Sequence, residues 1–161
     1  MKDIYQVLAE LGISYKKYEH PPVFTVEDAD LHRGEMQGGT TKNLFLRNKK
    51  GKRHYLLVLE SNRQVEIKQI QGLLGESSLS FASPERLQKY LGLTPGAVSP
   101  FGIINDTEHA VTVVVDAGLL RHETLHYHPN NNTATLAIST EDFRRFLAAS
   151  GNEVRYEELP P

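Results

Sequence analysis

The sequence predicts an α/β fold of the α+β type, with helices packed around a mixed β-sheet. One observation is that helical and strand-like segments intermingle along the 161 residues without a regular βαβ alternation. A second is a pair of apolar runs joined by Asn48-Lys49-Lys50-Gly51, which is typical of an antiparallel hairpin. The third is the uniformly apolar run 111–115, which is typical of a strand covered on both faces. A doubly wound parallel sheet is therefore disfavoured.

The elements expected before the hairpin are set by capping residues and by proline and glycine breaks. They are, in order, a helix capped by Asp3 and stopped by Gly12, a strand over 13–18, a break at Pro21-Pro22, a helix from the capping pair Thr25 and Asp28 to about Gly34, and a turn at Gly38-Gly39.

The remaining elements follow from apolar runs and from caps in the same way. The predicted strands are 43–47, 54–60, 79–81, 101–104, 111–115, 124–127 and 133–138. The predicted helices are 65–74, a helix capped by Ser83 with Pro84 at its first position, and a last helix from Thr140 to Gly151.

Composition narrows the protein class. We expect a single domain over residues 1–161, which is enough chain for one substantial core. The 18 basic and 20 acidic side chains exclude a generally polycationic nucleic-acid binder, although residues 42–53 form one dense basic cluster. The chain has no cysteine, so disulfides and thiolate chemistry are excluded. It also lacks a signal-type or membrane-spanning apolar run, which predicts a soluble cytoplasmic protein.

One short motif suggests zinc chemistry. His122-Glu123-x-x-His126 would place two histidines on one face of a helix, with the glutamate activating a zinc-bound water. However, Pro129 pushes His128 out of helical conformation. Residues 124–128 also alternate as in a strand, which would separate the two histidines. We therefore keep a zinc hydrolase as a remote alternative and expect no metal ligands here.

The other catalytic patterns are weaker. There is no Gly-x-Ser-x-Gly elbow, phosphate-binding loop or dinucleotide fingerprint, so no cofactor is predicted. Lys42 precedes a strand, where it is either a solvated lysine or a cation that reaches a phosphate or ester oxygen. The loop from Gly96 to Pro100 is either a simple turn or a place where backbone N–H groups approach a ligand closely.

Several separated segments, taken in order, resemble the YbaK/prolyl-tRNA-synthetase-associated editing domain family, and in particular its free-standing ProX- or PrdX-type branch. The likeness runs from the first predicted helix to the last. The segments that carry it are Thr41-Lys42-Asn43-Leu44-Phe45-Leu46, His54-Tyr55-Leu56-Leu57-Val58, Gly96-Ala97-Val98-Ser99-Pro100-Phe101, Ile104-Asn105-Asp106, Val113-Val114-Val115-Asp116, and His128-Pro129 with Asn132-Thr133-Ala134-Thr135.

The resemblance implies a partly closed mixed sheet with a pocket at one end, and it implies a set of site residues. The residues that it assigns to catalysis are Lys42, Gly96 and His128. Those that it assigns to substrate binding are Asn43, Ala97, Val98, Ser99, Pro100, Phe101, Asn132 and Thr133. It also implies that the zinc-like segment is a short helical turn leading into a strand.

The implied reaction is hydrolysis of a wrong amino acid from the acceptor end of tRNA(Pro), with alanyl-tRNA(Pro) as the first expectation. Cysteinyl-tRNA(Pro) hydrolysis and a non-enzymatic tRNA- or aminoacyl-binding module are the alternatives. Neither a metal nor a cofactor is expected, because an ester is already activated and needs mainly an oriented water and a stabilised oxyanion. Prolyl-tRNA synthetase is a possible partner, whereas no DNA or membrane partner is expected. The basic hairpin is either a contact for the acceptor stem or an ordinary solvated turn.

Overall fold

The computed structural model describes residues 3–19, 39–131 and 133–159, with Gly39 and Thr40 described through their backbone. These ranges contain short and medium helices that begin at polar caps. The α-helices are α1 (Ile4–Glu10), α2 (Ile67–Leu74), α3 (Pro84–Leu91) and α4 (Thr140–Ser150). Three 3₁₀ helices cover Pro95–Ala97, Pro100–Asn105 and Ala117–Arg121.

The strands form one mixed sheet. They are β1 (Tyr15–Glu19), β2 (Gly39–Asn48), β3 (His54–Glu60), β4 (Leu79–Phe81), β5 (Val111–Asp116), β6 (Thr124–Tyr127), β7 (Ala134–Ser139) and β8 (Val154–Glu157). Their order is β1-β7-β6-β2-β3-β5-β8, and β4 pairs with β2 away from this path. The pairs β2–β6, β3–β5 and β5–β8 are parallel, and the others are antiparallel.

Both faces of the central strands are covered. Phe45 of β2 contributes to a large core beneath α1, α3 and α4, whereas the next residue, Leu46, packs in a second core with Ile70 of α2. Alternate side chains of a strand point to opposite faces, so β3, β5 and the middle of β2 need apolar residues at consecutive positions. This explains why His54 to Leu59 are all buried and why four of the five residues 111–115 are valine.

Local capping chemistry sets the helix ends. The Asp3 side chain accepts a hydrogen bond from the Tyr5 N–H (3.0 Å), and the Ser83 side chain accepts one from the Arg86 N–H (3.2 Å). Ser139 caps α4 in the same way, through the Asp142 N–H at 3.1 Å. Gly75 and Gly151 end α2 and α4 in the left-handed conformation, with φ of 70° and 81°, which glycine adopts without steric cost.

The predicted mixed sheet surrounded by helices is confirmed, with most predicted elements within two or three residues of their place. The strand predicted over 101–104 is wrong, because those residues lie in the 3₁₀ helix Pro100–Asn105. Pro100 has no N–H for a strand ladder, and the Ser99 side chain accepts a bond from the Phe101 N–H at 3.2 Å. The segment is apolar because it is buried, not because it is extended.

Strand β8 was not predicted, although Val154-Arg155-Tyr156-Glu157 alternates apolar and polar residues, because a run of only four residues gives a weak signal. The helix predicted from Thr25 to Gly34 lies outside the described residues, as do Pro21-Pro22 and Gly38. Among the helices of the described ranges, none has the length and apolar character needed to cross a membrane.

Candidate functional site

The candidate site lies along one edge of β2, where the pairing of this strand changes. β2 pairs with β6 only at Gly39 and Thr40, and with β4 only from Leu46 to Asn48. Between these two pairings, side chains and loops replace the ladder. Thr41 Oγ1 donates to the His126 carbonyl oxygen at 2.5 Å, and the Asn43 Nδ2 group donates to the Val98 carbonyl oxygen at 3.3 Å. The edge of β2 therefore opens toward the loop that starts at Gly96.

That loop is a short rigid connection between two 3₁₀ helices. Gly96 and Ala97 belong to the first of them, and Val98 and Ser99 are extended. The Ala97 N–H donates to the Thr94 carbonyl at 2.9 Å, and the Gly102 N–H donates to the Ser99 carbonyl at 3.1 Å. These bonds fix the loop before any ligand is present.

Ser99, Pro100 and Phe101 are buried, and so their side chains shape the loop from beneath. Ser99 is 0% exposed, and its hydroxyl oxygen accepts the Phe101 N–H. The Phe101 ring meets the rings of Tyr127 and Phe146 edge-on, with centroids 5.7 and 5.1 Å away. The structure thus places three predicted substrate-binding residues in the core, where only their backbone can face a ligand.

Asn130 was not predicted as a site residue, although it joins the second predicted loop to the first. Its Nδ2 group donates to the Phe101 carbonyl oxygen at 3.5 Å, and its backbone adopts the left-handed conformation with φ of 65°. Asparagine tolerates that conformation better than most residues, so the run Pro129-Asn130-Asn131 held a usable signal. The carbonyl partners set the amide orientation of both Asn43 and Asn130. Within the described part of the chain, the buried Oδ1 atom of each has no hydrogen-bond partner.

His128 follows directly after β6 and is half-buried. Its Nδ1 atom lies 3.1 Å from the Ala134 carbonyl oxygen. A carbonyl oxygen only accepts, so this contact places a proton on Nδ1 and leaves Nε2 as the basic nitrogen of the neutral ring. The bond also closes the turn between β6 and β7, which fixes the orientation of the imidazole.

Lys42 is half-buried on β2, opposite Leu59 of β3. Alternation puts its side chain on the face of Leu44 and Leu46, the opposite face from Asn43. Burial lowers the pKa of the Lys42 ammonium below its ordinary value. Among the residues that the structure describes, no carboxylate pairs with this ammonium.

The strand register brings Lys42 and His128 to the same level of the sheet. Thr40 pairs with His126 in the parallel ladder between β2 and β6. Two residues further along each strand are Lys42 and His128, at the point where the two strands separate. The register therefore places Lys42 and His128 level with each other at this edge, whereas the Asn43 amide contacts the Val98 segment from the opposite face of the sheet.

Two predicted residues are not gathered there. Thr133 is exposed, and its N–H and hydroxyl both donate to Asn131 Oδ1 at 3.0 Å. Asn132 lies outside the described residues. A groove of about 480 Å³ lies between α1, α4 and the 3₁₀ helix Pro100–Asn105, and it is lined by none of the predicted site residues.

The zinc-like motif does not form a helix. His122 follows the 3₁₀ helix Ala117–Arg121, and His126 lies on β6. This agrees with the expectation of a short helical turn that leads into a strand. His122 Nε2 lies 4.0 Å from Glu60 Oε2, and the Glu123 backbone carbonyl accepts the Thr140 N–H at 2.9 Å. Across the described ranges, no three His, Cys, Asp or Glu side chains cluster in a way that could hold a metal ion.

Comparisons with known proteins agree with one another. A family model described as the aminoacyl-tRNA editing domain matches residues 20–146. The prolyl-tRNA editing protein ProX of Acetoanaerobium sticklandii is 45% identical over 152 residues, which cover 94% of this chain and 93% of that protein. The prolyl-tRNA synthetase associated domain-containing protein 1 of Danio rerio is 36% identical over 148 residues, which cover 91% of this chain and 80% of that protein.

A solved structure extends the likeness to the fold. The crystal structure of a protein described as a candidate trans-editing enzyme for prolyl-tRNA synthetase superposes with a TM-score of 0.70. The match covers 100% of this chain and 98% of that one at 20% identity. At that identity the comparison concerns the fold alone.

Proposed function

The chain belongs to the aminoacyl-tRNA editing domain family, and we propose that it is a trans-editing deacylase acting on mischarged tRNA(Pro). The observation that carries this proposal is the interrupted edge of β2, where the Asn43 amide holds the Val98 carbonyl of the Gly96 loop and Lys42 lies level with His128. Two hydroxyls near this edge are engaged elsewhere: Thr41 donates to the His126 carbonyl oxygen, and the buried Ser99 caps a 3₁₀ helix. A site built of backbone and positioning groups suits an ester, which is already activated toward water.

Gly96 is the best placed donor for the developing oxyanion. Ala97 and Phe101 use their N–H groups within the loop, and Pro100 has none. The 3₁₀ turn also directs the Val98 amide back toward Pro95. Gly96 precedes the residues whose N–H groups are already hydrogen-bonded within the loop, and it is half-buried rather than fully buried. Its N–H can therefore meet an oxygen that gains negative charge in the transition state.

Lys42 supplies the positive charge that a tRNA 3′ end requires. Its ammonium is withdrawn from water, which is the cause of the lowered pKa. A phosphate oxygen placed beside it would favour the charged form again and so offset the cost of burial. We therefore assign Lys42 to the terminal phosphate or ribose of the substrate.

His128 and Asn43 complete the proposed site. With its Nδ1 atom held by the Ala134 carbonyl oxygen, the His128 ring has a fixed orientation at the end of β6, and we assign it to shaping the pocket around the substrate. Asn43 holds the Val98 carbonyl and keeps a buried side-chain oxygen without a partner in the described part of the chain. An acceptor of this kind suits the amino group of an aminoacyl ester.

We infer alanine as the amino acid that is removed. An editing site that excludes a larger ring by steric clash spares prolyl-tRNA and admits a smaller side chain, which is the logic of a second sieve. Alanine and cysteine both satisfy this size limit, so cysteinyl-tRNA(Pro) is the second candidate. Prolyl-tRNA synthetase is the partner that we propose for delivery of the substrate, because the zebrafish relative is named for association with that enzyme.

The test uses purified protein with alanyl-, cysteinyl- and prolyl-tRNA(Pro), and it follows loss of the amino acid with time. We expect release of alanine, with prolyl-tRNA spared and with no loss of rate in a chelator. Release of cysteine in place of alanine would move the specificity to the second candidate. Binding of tRNA without any release would instead identify a non-enzymatic module.

A further inference from the structure

Phe81 is an exposed aromatic side chain that the site as described does not use. It is 62% exposed, and within the described ranges Tyr15, at 38%, is the other large apolar side chain with high exposure. Phe81 lies on the short strand β4, while its neighbour at i−2, Leu79, is buried in the second core. A single exposed phenyl ring is common on protein surfaces, so its meaning depends on the residues around it.

The position of Phe81 relates it to the site. It pairs with Leu46 of β2, so its side chain lies on the same face of the sheet as Leu46, Leu44 and Lys42. Four residues of β2 separate Lys42 from Leu46, which corresponds to about 13 Å at the usual rise of a strand. Stacked nucleotides advance by about 3.4 Å per step, so this distance spans roughly four of them. Leu44, half-buried, lies between the two positions.

The turn of the basic hairpin lies further along β2, beyond the position that pairs with Phe81. Residues 42–53 hold six of the 18 basic side chains and no acidic one, which leaves 12 basic against 20 acidic residues elsewhere. Arg53 pairs with Glu76 at 3.0 Å. Lys49, Lys50 and Lys52 are exposed, and within the described part of the chain no carboxylate pairs with them.

The turn that carries these lysines is held in one conformation. The Asn48 side-chain oxygen accepts the N–H groups of Lys52 and Arg53, at 3.0 and 3.1 Å. Arg86 of α3 donates to the Gly51 carbonyl oxygen at 3.2 Å. A turn fixed from both sides presents its cations at a constant distance from the site, which lowers the entropic cost of binding a rigid polyanion.

We propose that Phe81 and the basic hairpin form a track for the 3′ arm of tRNA that leads toward Lys42, with an unpaired base stacked on Phe81 and the backbone of the stem against Lys49, Lys50 and Lys52. The inference rests on the proposed function, since the track ends at the site of hydrolysis. Aromatic rings flanked by cations are the usual means of binding a single strand without reading its sequence. An isolated aromatic on the strand that pairs with the basic hairpin fits this partner better than a protein interface, which needs a larger apolar patch.

The experiment compares Phe81→Ala and Phe81→Trp with the matched control Tyr15→Ala, an exposed aromatic on the edge strand β1. Each protein is assayed on alanyl-tRNA(Pro) and on the alanyl ester of adenosine alone. We expect F81A to lower kcat/KM for the tRNA about tenfold more than for the small ester, with F81W restoring most of the loss. An equal loss on both substrates, or no loss on tRNA, would overturn the role of Phe81.

A binding assay with uncharged tRNA(Pro) distinguishes failure of this inference from failure of the proposed function. If the wild-type protein hydrolysed neither ester, the function would fail, yet the effect of F81A on the dissociation constant would still report on the track. Replacing Lys49, Lys50 and Lys52 by alanine should reduce the slope of log K against log salt by up to about 2.7, since the stem loses up to three phosphate contacts. An unchanged slope would remove the hairpin from the track and point to a protein partner for Phe81.

Discussion

The Asn130 side chain donates a hydrogen bond to the Phe101 carbonyl oxygen, 29 residues earlier in the chain, at 3.5 Å. This bond joins the turn that follows His128 to the loop that follows Gly96. Asn130 lies outside the helices and strands, and Phe101 lies at the start of a 3₁₀ helix, so this side-chain contact helps to set the relative position of the two segments. Asn130 also holds a left-handed backbone, with φ of 65°. The residue therefore combines two separable roles, one in its backbone and one in its amide.

Two substitutions separate these roles. Asn130→Gly keeps the left-handed backbone and removes the amide, whereas Asn130→Ala loses the amide and adds steric strain. We expect N130A to be less stable than N130G by about 1–2 kcal/mol, measured by urea unfolding. Both variants should lose deacylation to a similar extent, because both release the Phe101 carbonyl. Full activity in N130G would show that the backbone alone positions the loop.

Asp106 is predicted to stabilise the fold rather than to take part in catalysis. Its carboxylate accepts hydrogen bonds from the Ala110 and Val111 N–H groups, at 3.1 and 2.8 Å, and from Asn152 Nδ2 at 2.8 Å. Hydrogen bonds to a buried charged group each contribute about 1.5–3 kcal/mol. We therefore expect Asp106→Ala to lower the free energy of unfolding by more than about 3 kcal/mol.

The control for the Asp106 prediction is the deacylation activity of folded D106A protein. At a temperature where D106A is fully folded by circular dichroism, its kcat on alanyl-tRNA(Pro) should stay within about twofold of the wild-type value. A large drop in kcat with folded protein would assign Asp106 to the site instead. Such a result would need a path from Asp106 to Gly96 through the 3₁₀ helix Pro100–Asn105.

Much of the fold could be predicted from sequence because its signals are local. Asp3, Ser83 and Pro84 mark helix starts through bonds to the next few residues, and the hairpin follows from its own turn. The error over 101–104 arose because apolar character reports burial and does not distinguish a strand from a 3₁₀ helix. Strand β8 was missed although its residues alternate between apolar and polar, because four residues are the shortest run that carries this signal.

The site is less predictable, because it depends on contacts between distant segments. The resemblance to a family pointed to Lys42, Asn43, Gly96 and His128, and the structure brings their segments to one edge of β2. Asn130 was missed because its importance lies in a bond to a residue far away in sequence. Burial could not be foreseen either, and it places the side chains of Ser99 and Phe101 in the core.

His54 predicts a loss of stability in mild acid. Burial and the nearby Arg86 guanidinium, whose Nη1 lies 3.1 Å from His54 Nε2, lower the pKa of His54 to about 4. The folded protein therefore holds His54 neutral, while the unfolded chain binds a proton near its ordinary pKa of about 6.5. The free energy of unfolding is therefore at its full value above pH 6.5, and it decreases as the pH falls toward 4 because the unfolded chain alone gains the proton. The loss should approach about 3 kcal/mol.

The measurement for His54 is the free energy of unfolding in urea between pH 4 and 7.5, compared between the wild type and His54→Gln. The difference between the two proteins should shrink as the pH falls, because H54Q cannot bind the extra proton. His109→Gln, at an exposed histidine, is the matched control and should follow the wild-type curve. A constant difference between wild type and H54Q across this range would contradict a neutral buried His54.

Lys42 predicts an alkaline limit to catalysis. Burial lowers the pKa of its ammonium, so the charge that we assign to substrate binding is present at neutral pH and is lost at a lower pH than for an ordinary lysine. After correction for spontaneous ester hydrolysis, kcat/KM should fall as the pH rises through this range. Lys42→Arg keeps its charge to much higher pH and should lack the decline, even though its geometry lowers the rate at neutral pH.

Lys42→Met tests the charge while it keeps the apolar stem. Because the ammonium has no carboxylate partner within the described part of the chain, its removal should leave the unfolding free energy within about 0.5 kcal/mol of wild type. Deacylation should fall about 100-fold or more, since a desolvated charge beside a phosphate contributes several kcal/mol to binding the transition state. Lys68→Met, at an exposed position on α2, is the matched control and should change neither quantity. An unaltered deacylation rate in K42M would remove Lys42 from the site and would leave the oxyanion to the Gly96 amide alone.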